Sequence, residues 1–285
     1  MKKVKKAVLL AAGYGTRFMP FAKAISKTML PIIDTPTIQL ILEEAFDSGI
    51  EEALVVVGYN KESIISHFSK NEHLEEKLKN NQEFLDLIKK PANMKIKFVE
   101  QKELNGTAGA IMLARDFTKD EPFLLMYADD LMYCEKPVSK QIIEEYERTG
   151  KCVMACKHVP KELVVKYSSV EYSSKNNERS YNVTKIIEKP KLEDVKSTLS
   201  TLGRYVLPPC VYEYSEKIKP TINGERFVTD AFDMIAQNEG CIAYDFEGIR
   251  YDIGNKFGYL TAVVDYALRD KNYGEQFKEF LKSVN

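Results

Sequence analysis

The sequence predicts an α/β fold in which a mixed, mostly parallel sheet is flanked by helices. Through the first half of the chain, short apolar runs typical of buried strands alternate with segments of helical period. Beyond Gly150 the pattern changes to several strand-like runs that are separated by polar loops. Strands that alternate with helices form parallel β-α-β units, and later strands can extend the same sheet. We therefore expect a Rossmann-like sheet with helices on both faces.

The first half contains several predicted strands with helices between them. Apolar residues recur at helical spacing from Ile38 to Phe46, and Gly49 is placed to end that helix. Asn60 is a candidate N-cap for the next helix. Residues 70–90 are charged and rich in Asn, so we expect them to form an exposed, mostly helical insertion. The predicted strands are residues 7–12, 53–57, 96–99 and 123–127, and a short helix is predicted at 107–114.

The second half is richer in strands and ends in a helical tail. Residues 173–180 are polar and form the predicted loop of a hairpin. No long linker separates the halves, so we predict a single domain over residues 1–285, with parts at about 1–150, 151–256 and 257–285. Its predicted elements are strands at 153–159, 169–172, 183–188 and 243–246, helices after Pro209 and at 229–237, and an amphipathic helical tail from Phe257.

The composition excludes several classes of function. The chain has 285 residues, of which 44% are hydrophobic, and this suffices for a sizeable core. Lys and Arg total 41 against 42 Asp and Glu, so the net charge of -1 gives no long-range attraction to nucleic acid or to an acidic membrane. No apolar run approaches the roughly 18 residues of a membrane span. The 5 cysteines are scattered and odd in number, which favours reduced thiols in a cytoplasm.

The segment AVLLAAGYGTRFMPFAKAISKTMLP predicts a phosphate-binding turn. Its apolar run ends at Gly13 and Gly15, and glycine lets the backbone turn sharply and approach a ligand closely. Backbone N–H groups in such a turn can converge on phosphate oxygens, and cations follow at Arg17, Lys23 and Lys27. The segment lacks the third glycine of the dinucleotide fingerprint and the pattern of the P-loop. A plain strand-to-loop turn explains the two glycines alone, whereas the whole segment favours a nucleoside triphosphate site.

Paired aspartates follow the last predicted strand of the first half. Asp129 and Asp130 come just after the apolar run 123–127, and open α/β sheets bind ligands at the carboxyl ends of their strands. A carboxylate in that place can hold Mg²⁺, a hard ion that prefers oxygen ligands and keeps waters and substrate phosphates as its other partners. Adjacent aspartates alone would indicate a surface turn. The preceding strand and the upstream glycine turn favour a metal site.

Further polar residues suit the recognition of a ligand. Gln101 follows a predicted strand, with Gly106 close behind, and a primary amide matches the alternating donors and acceptors of a pyrimidine edge. Glu188 can accept hydrogen bonds from sugar hydroxyls, and Lys189 can hold a sugar phosphate as a point charge. Each of these residues in isolation is more often solvated, so the pattern alone leaves both interpretations open. The 3 histidines fit no catalytic pattern, and we expect His67 on the exposed side of its helix.

Several motifs carry a family resemblance. The glycine turn matches G-x-G-T-R-x-x-P, and residues 27–31 match K-x-x-L-P. With these motifs the chain resembles the sugar nucleotidyltransferases, from residue 7 to about residue 280. The runs A-A-G-Y-G-T-R-F and K-A-I-x-K-x-M-L-P-I, together with G-R-Y-V at 203–206, are most similar to the bacterial members that use UTP and glucose 1-phosphate.

The resemblance implies an enzyme with a fold of the nucleotide-diphospho-sugar transferase type. The reaction it implies joins UTP and glucose 1-phosphate into UDP-glucose and releases pyrophosphate, with Mg²⁺ as cofactor. The first half would bind the nucleotide and the second the sugar, in a cytoplasmic homodimer or homotetramer whose candidate interface is the tail from Phe257. The implied residues are Arg17, Lys27 and Lys189 for catalysis, Ala12, Gly13, Gly15, Gln101 and Gly106 for the nucleotide, Tyr167, Ser168, Glu188 and Lys189 for the sugar, and Asp129 and Asp252 for the metal.

Two other functions stay open at this point. One is the same chemistry with another nucleotide or sugar, such as dTTP, because G-T-A-G-A at 106–110 is closer to the broader family than to the UTP-using members. The other is a non-catalytic UDP-sugar-binding protein, which the intact cations and aspartates disfavour. A panel of nucleotides and sugar 1-phosphates distinguishes the first alternative from the reaction of UTP with glucose 1-phosphate. An assay of pyrophosphate release distinguishes the second alternative from an enzyme.

Overall fold

The computed structural model describes residues 2–284. Short 3₁₀ turns lie at Thr16–Phe18, Phe21–Lys23, Lys27–Met29 and Leu192–Asp194. The strands are β1 (Lys6–Ala11), β2 (Pro31–Ile32), β3 (Thr35–Pro36), β4 (Glu52–Val57), β5 (Ile96–Glu100), β6 (Phe123–Tyr127), β7 (Asp130–Tyr133), β8 (Cys152–His158), β9 (Ser168–Lys175), β10 (Ser180–Glu188), β11 (Leu199–Leu207), β12 (Cys241–Asp245) and β13 (Ile249–Asp252). The α-helices are α1 (Thr37–Asp47), α2 (Glu62–His67), α3 (Glu72–Leu78), α4 (Gln82–Ala92), α5 (Thr107–Met112), α6 (Arg115–Thr118), α7 (Val138–Thr149), α8 (Lys161–Val164), α9 (Val211–Glu216), α10 (Val228–Asn238), α11 (Lys256–Arg269) and α12 (Gly274–Ser283).

A 9-stranded sheet in the order β5-β4-β1-β6-β11-β8-β12-β10-β9 forms the centre of the molecule. The strands β5, β4, β1 and β6 run parallel to one another. Next to them, β11 lies antiparallel between β6 and β8. Beyond β8, β12 is parallel to it, and β10 and β9 follow as antiparallel neighbours. The predicted mixed, mostly parallel sheet is therefore confirmed.

The core lies on both faces of this sheet, because successive side chains of a strand point to opposite faces. In β1, Ala7 and Leu9 belong to one apolar cluster and Val8 belongs to the other. Buried residues of α1 and α7 complete the first cluster, and those of α5, α9 and α10 complete the second. Helices therefore cover both faces, which places the ligand-binding edge of the sheet at the ends of its strands.

The helix α7 and the strand β11 are the longest elements that the sequence pattern did not predict. The strand β11 matters more for the site. All of its residues are buried, and it continues the sheet between the two halves of the chain. The helix predicted at 107–114 forms α5, which ends at Met112, and a further short helix, α6, follows outside the predicted range. The insertion at 70–90 is helical and mostly exposed, as predicted, and it forms α3 and α4.

Two local expectations in the first half are wrong. Asn60 does not cap α2, whose N-cap is Lys61. The side-chain Nδ2 of Asn60 donates to the carbonyl oxygen of Ala22 at 3.4 Å. His67 is half-buried rather than exposed, and its Nε2 lies 2.7 Å from Oε1 of Gln39. Burial lowers the pKa of His67, since the charged imidazolium loses hydration there.

The tail forms α11 and α12, and α11 is only partly covered. Ala262 is buried in the core, while Phe257 and Leu260 on the same helix are 80% and 58% exposed. The predicted interface on this tail stays a prediction. Within residues 2–284, no helix is both long and apolar enough to cross a membrane.

Candidate active site

A cleft of 1120 Å³ opens at the carboxyl ends of β1 and β6 and along the middle of β11. This is the edge at which open α/β sheets bind ligands. Residues from both halves of the chain line the cleft, so a single site can hold two substrates. Every predicted site residue except Gly15 lines it, namely Ala12, Gly13, Arg17, Lys27, Gln101, Gly106, Asp129, Tyr167, Ser168, Glu188, Lys189 and Asp252.

Gly15 lies behind the cleft wall and shapes the turn that carries Arg17. Its φ of 65° is in the left-handed region, which favours glycine. A Cβ at this position would stand 3.1 Å from the Cβ of Ala22 and 3.2 Å from the Cβ of Lys27. Gly15 therefore lets the turn approach Lys27 closely, whereas Gly13 faces the cleft itself.

A two-stranded sheet of β7 and β13 brings the two predicted metal aspartates together. Asp252 is paired with Asp130 in this sheet, and the N–H of Ile253 donates to the carbonyl oxygen of Asp129 at 2.9 Å. Oδ2 of Asp129 and Oδ1 of Asp252 each lie 3.0 Å from the point where a Cβ on Gly254 would stand. The two carboxylates thus face a common space that is left open because residue 254 has no side chain.

Two cations meet this pair of carboxylates. Nζ of Lys27 donates to Oδ2 of Asp129 at 2.8 Å. Burial raises the pKa of Asp129, but the charge and hydrogen bond of Lys27 outweigh that effect, so the pKa lies below its usual value. Nη1 of Arg17 donates to the carbonyl oxygen of Gly254 at 3.3 Å. Positive charge is therefore concentrated next to the two carboxylates, which suits an anionic ligand.

Asp130 also lines the cleft, and its carboxylate has a cationic partner within the protein. Its buried carboxylate forms an ion pair with the guanidinium of Arg250. A Cβ on Gly203 would lie 2.2 Å from Oδ2 of Asp130, so this carboxylate can fit only because residue 203 is glycine. Arg250 also donates to the hydroxyl oxygen of Tyr167 at 2.8 Å, and that hydroxyl donates to Oδ2 of Asp252 at 2.8 Å.

Arg204 forms hydrogen bonds with the backbone on both sides of Asp129. The side chain is fully buried, and it donates to the carboxylate of Glu44, with Nη2 at 2.7 Å from Oε2. The same guanidinium donates to the carbonyl oxygens of Tyr127 at 3.4 Å and of Asp130 at 2.8 Å. These two carbonyl groups flank Asp129, so the buried arginine fixes the position of the loop that carries the Asp129 carboxylate.

Gln101 is buried at the wall formed by the first half of the chain, and its amide nitrogen is already hydrogen-bonded. Nε2 lies 3.3 Å from Oδ1 of Asn105 and 3.3 Å from the carbonyl oxygen of Gly106. Both amide hydrogens are therefore directed to the protein, and Oε1 is left to accept a hydrogen bond from a ligand. Asn105 can take this position only because residue 109 is glycine, since a Cβ on Gly109 would lie 1.7 Å from Oδ1 of Asn105.

Glu188 and Lys189 form the opposite wall at the end of β10. Burial raises the pKa of Glu188, and a hydrogen bond from Thr229 opposes that rise. Lys189 has a φ of 44°, and its Nζ lies 4.6 Å from the centre of the Phe227 ring. Its N–H donates to the carbonyl oxygen of Tyr167 at 2.7 Å. An acceptor for hydroxyl groups and a cation thus stand side by side, which suits a phosphorylated sugar.

Several cleft residues were missed at the level of sequence. Thr201, Gly203 and Tyr205 line the cleft at alternate positions of β11. The period of 2 would have revealed them had the strand been recognised. Arg250 also lines the cleft, and it precedes Asp252 by two positions on β13. The same periodicity places these two side chains on one face, and this signal was available in the sequence.

The residues present fit a hard divalent cation. Two carboxylates face a common space, and the ammonium of Lys27 shows that Asp129 already accepts a cation. In the described part of the chain, no group of three or more Cys, His, Asp or Glu is close enough to hold a metal by itself. The pair would therefore bind an ion together with waters and substrate phosphates, which is the usual coordination of Mg²⁺.

The sequence matches the family described as Nucleotidyl transferase over residues 6–268. It is 39% identical over 287 aligned positions to the UTP–glucose-1-phosphate uridylyltransferase of Bacillus subtilis (strain 168), with 100% of this chain and 98% of the relative covered. It is 41% identical over 285 positions to the protein of the same name from Streptococcus pneumoniae serotype 4, with 98% and 95% covered.

Solved structures give the same likeness. A UDP-glucose pyrophosphorylase complexed with UDP-glucose superimposes with a TM-score of 0.85 at 36% identity, covering 94% of this chain and 100% of the other. A UTP-bound UGPase from Acinetobacter baumannii superimposes with a TM-score of 0.89 at 31% identity, covering 99% and 100%. The likeness thus extends over the whole fold and includes both walls of the cleft.

Proposed function

We propose, since this chain belongs to the nucleotidyl transferase family, that it joins UTP and glucose 1-phosphate into UDP-glucose and pyrophosphate. Membership of the family confirms the resemblance carried by the motifs. The observation that carries the proposal is the convergence of Arg17, Lys27, Asp129 and Asp252 on one cleft, opposite Lys189. That arrangement brings two anionic substrates to one point, and this is the main requirement of the reaction.

The nucleotide binds to the wall formed by the first half of the chain. Gly13 has no side chain, so its backbone can approach the triphosphate, and Arg17 and Lys27 neutralise the phosphate charge. The free acceptor Oε1 of Gln101 suits the N3–H donor of uracil. Thymine carries the same donor and cytosine does not, so Gln101 disfavours CTP without separating UTP from dTTP.

The sugar phosphate binds to the wall formed by the second half. The carboxylate of Glu188 accepts hydrogen bonds from sugar hydroxyls, and Lys189 moves from the ring of Phe227 to the phosphate. Ser168 contributes to the floor, where its hydroxyl lies 2.8 Å from Oγ1 of Thr201. The Ser168 hydroxyl also accepts a hydrogen bond from the N–H of Thr201 at 3.1 Å, so these contacts hold the floor in place.

The reaction is an in-line displacement at the α-phosphorus of UTP. An oxygen of the sugar phosphate attacks, the bond from the α-phosphorus to the bridging oxygen breaks, and the electron pair leaves with pyrophosphate. The attacking group is already an anion, so no side chain has to remove a proton from it. The residues therefore act by alignment and by charge: Lys189 holds the attacking phosphate, and Arg17 and Lys27 stabilise charge on the triphosphate.

We also propose that Asp129 and Asp252 hold Mg²⁺ during turnover. The ion, when bound, neutralises charge on the phosphate oxygens and helps the leaving pyrophosphate. The support for this proposal is the open space that the two carboxylates share at Gly254. Asparagine at either position would keep an acceptor oxygen but remove the charge that binds the ion.

The test is a panel of UTP, dTTP and CTP, each with several sugar 1-phosphates, and pyrophosphate release is measured. We expect the fastest turnover with UTP and glucose 1-phosphate. Faster turnover with dTTP or another sugar would reassign the substrate, and no release with any pair would favour a binding protein. Arg17→Ala provides the matched variant, since its exposed side chain has no core role and its loss should abolish most turnover without unfolding the protein.

We propose further that the protein is a cytoplasmic homodimer or homotetramer. The exposed apolar residues Phe257 and Leu260 on α11 support an interface on the tail. The 5 cysteines are all free thiols, which supports a reducing compartment. Sedimentation of the wild-type protein and of Leu260→Asp tests the interface. A monomeric wild type would refute the oligomer, and a Leu260→Asp protein with the wild-type oligomeric state would refute the interface on the tail.

A further inference from the structure

The carboxylate of Asp252 is held by one donor on each oxygen. The N–H of Gly254 donates to Oδ1 at 3.0 Å, and the hydroxyl of Tyr167 donates to Oδ2 at 2.8 Å. The first donor belongs to the same loop as Asp252, but the second comes from a residue 85 positions earlier in the chain. The direction of this carboxylate therefore depends on a side chain from a distant part of the sequence.

The hydroxyl of Tyr167 is itself fixed by Arg250. Nη1 of Arg250 donates to the hydroxyl oxygen at 2.8 Å, and the guanidinium carbon lies 4.5 Å from the centre of the tyrosine ring. Arg250 is in turn anchored by its ion pair with Asp130, and the side chains of both residues are largely buried, at 13% and 6% exposed. The contacts form a continuous chain from Asp130 through Arg250 and Tyr167 to Asp252.

The chemistry of these groups sets the direction of every hydrogen bond. Arginine has only donors and an ionised carboxylate has only acceptors, whereas a tyrosine hydroxyl has one hydrogen to donate. Arg250 donates to the hydroxyl oxygen, so the single hydroxyl hydrogen is directed to Asp252. That hydrogen is then not free to bind an oxygen of the sugar. The contact differs from the sugar-binding role that the sequence resemblance implies for Tyr167.

We propose that Tyr167 is a positioning residue, which holds the carboxylate of Asp252 toward the space it shares with Asp129. Arg250 keeps the hydroxyl of Tyr167 in the donating orientation. The inference rests on the proposed role of Asp129 and Asp252 as metal ligands. Groups that orient a metal ligand typically contribute about 10–100-fold to metal affinity. Tyr167 thus acts on the metal through Asp252 and makes no specific contact with the sugar.

The experiment measures Mn²⁺ binding to the free protein by electron paramagnetic resonance, with no nucleotide or sugar present. Tyr167→Phe keeps the ring against Arg250 and removes only the hydroxyl. We expect it to weaken Mn²⁺ binding by about 10-fold or more and to leave the KM for glucose 1-phosphate unchanged. Arg250→Lys, which keeps the charge but not the planar fork, should have the same effect on Mn²⁺. Tyr172→Phe is the control, since Tyr172 is an exposed residue of β9 outside the cleft.

A double-mutant cycle shows whether Tyr167 acts through Asp252. In the background of Asp252→Asn, Tyr167→Phe should cause no further loss of Mn²⁺ affinity. Unchanged Mn²⁺ binding in a folded Tyr167→Phe protein would overturn the inference, and so would a raised KM for glucose 1-phosphate at wild-type Mn²⁺ affinity. A wild-type Mn²⁺ affinity in Asp252→Asn would overturn it by removing the ligand on which it rests. A wrong assignment of nucleotide or sugar leaves these binding results unaffected, so the two failures are distinguishable.

Discussion

Replacing Arg204 by Met should destabilise the fold by about 3–5 kcal/mol, because the change leaves a buried carboxylate without its cation. The side chain of Arg204 is 0% exposed and that of its partner Glu44 is 10% exposed. Methionine fills a similar volume, so the loss comes from the charge and not from a cavity. The carbonyl oxygens of Tyr127 and Asp130 lose a donor as well, and the backbone around Asp129 loosens with them.

The loss in free energy of unfolding can be measured by urea unfolding, and the change in Tm by thermal unfolding, both followed by circular dichroism. Each kcal/mol lowers Tm by about 2 °C in a chain of this size, so we expect a fall of about 6–10 °C. Arg115→Met is the matched control, since the ion pair of Arg115 with Glu216 is half-exposed, with side chains 50% and 51% accessible. A surface pair of this kind contributes about 0–1 kcal/mol.

The double variant Arg204→Met with Glu44→Leu separates the cost of an unpaired charge from the value of the pair. Removing both partners leaves no buried charge, so the double variant should be more stable than Arg204→Met alone. The recovery should be incomplete, because Glu44 also accepts hydrogen bonds from the N–H and the hydroxyl of Ser139. A loss of less than about 1 kcal/mol in the free energy of unfolding of Arg204→Met would refute the reasoning, since a buried carboxylate without its cation should cost more than this.

Gln101→Ala should raise the KM for UTP more than it lowers kcat, because Oε1 of Gln101 is the acceptor offered to the base; steady-state kinetics unchanged for both UTP and dTTP would contradict this. Asp129→Asn and Asp252→Asn should each lose most Mg²⁺-dependent turnover, and the double variant should be little worse than either, because residues that act as a unit are non-additive. An Asp252→Asn protein with wild-type rate and wild-type Mg²⁺ dependence would leave Asp129 as the sole ligand. Burial lowers the pKa of His67 in the folded state, so the unfolded chain binds the proton more readily below about pH 6.5. Stability should therefore fall as the pH drops from about 7.5 to 5.5, and less in His67→Gln; parallel urea midpoints for the two proteins would show that another group titrates.

Local patterns in the sequence predicted the elements that carry most of the site. The strand β6 followed by Asp129 is an example, because an apolar run and a polar end are both visible in adjacent residues. The contacts across the fold were not visible. The strand β11 did not look buried in the sequence because it contains the charged residue Arg204. The partner that allows Arg204 to be buried, Glu44, lies 160 positions away. Asn60 has the side chain of an N-cap, but its amide bonds to Ala22, a residue that only the folded chain brings near.

The proposed role of Tyr167 shows the same limit at the site. The resemblance placed this residue in the cleft, and the structure confirms that location. Its partner could not be inferred, because the hydrogen bond to Asp252 spans 85 positions. The direction of a hydrogen bond depends on which groups are in contact in the folded protein. A sequence motif gives the residue types but not these contacts. Sequence patterns thus predicted residues that line the cleft, whereas the hydrogen bonds among them depend on the fold.

The place of β11 in the sheet determines the order in which the strands of this chain can pair during synthesis. The strand joins β6, completed at residue 127, to β8, completed at residue 158, yet it is itself finished only at Leu207. Until then, β6 has an open edge, and open edges pair readily with other chains. Pairings between distant residues also slow folding. A nascent chain therefore carries an unpaired strand beside the future cleft for about 80 residues of translation, which takes roughly 4–16 s at ordinary rates of 5–20 residues per second.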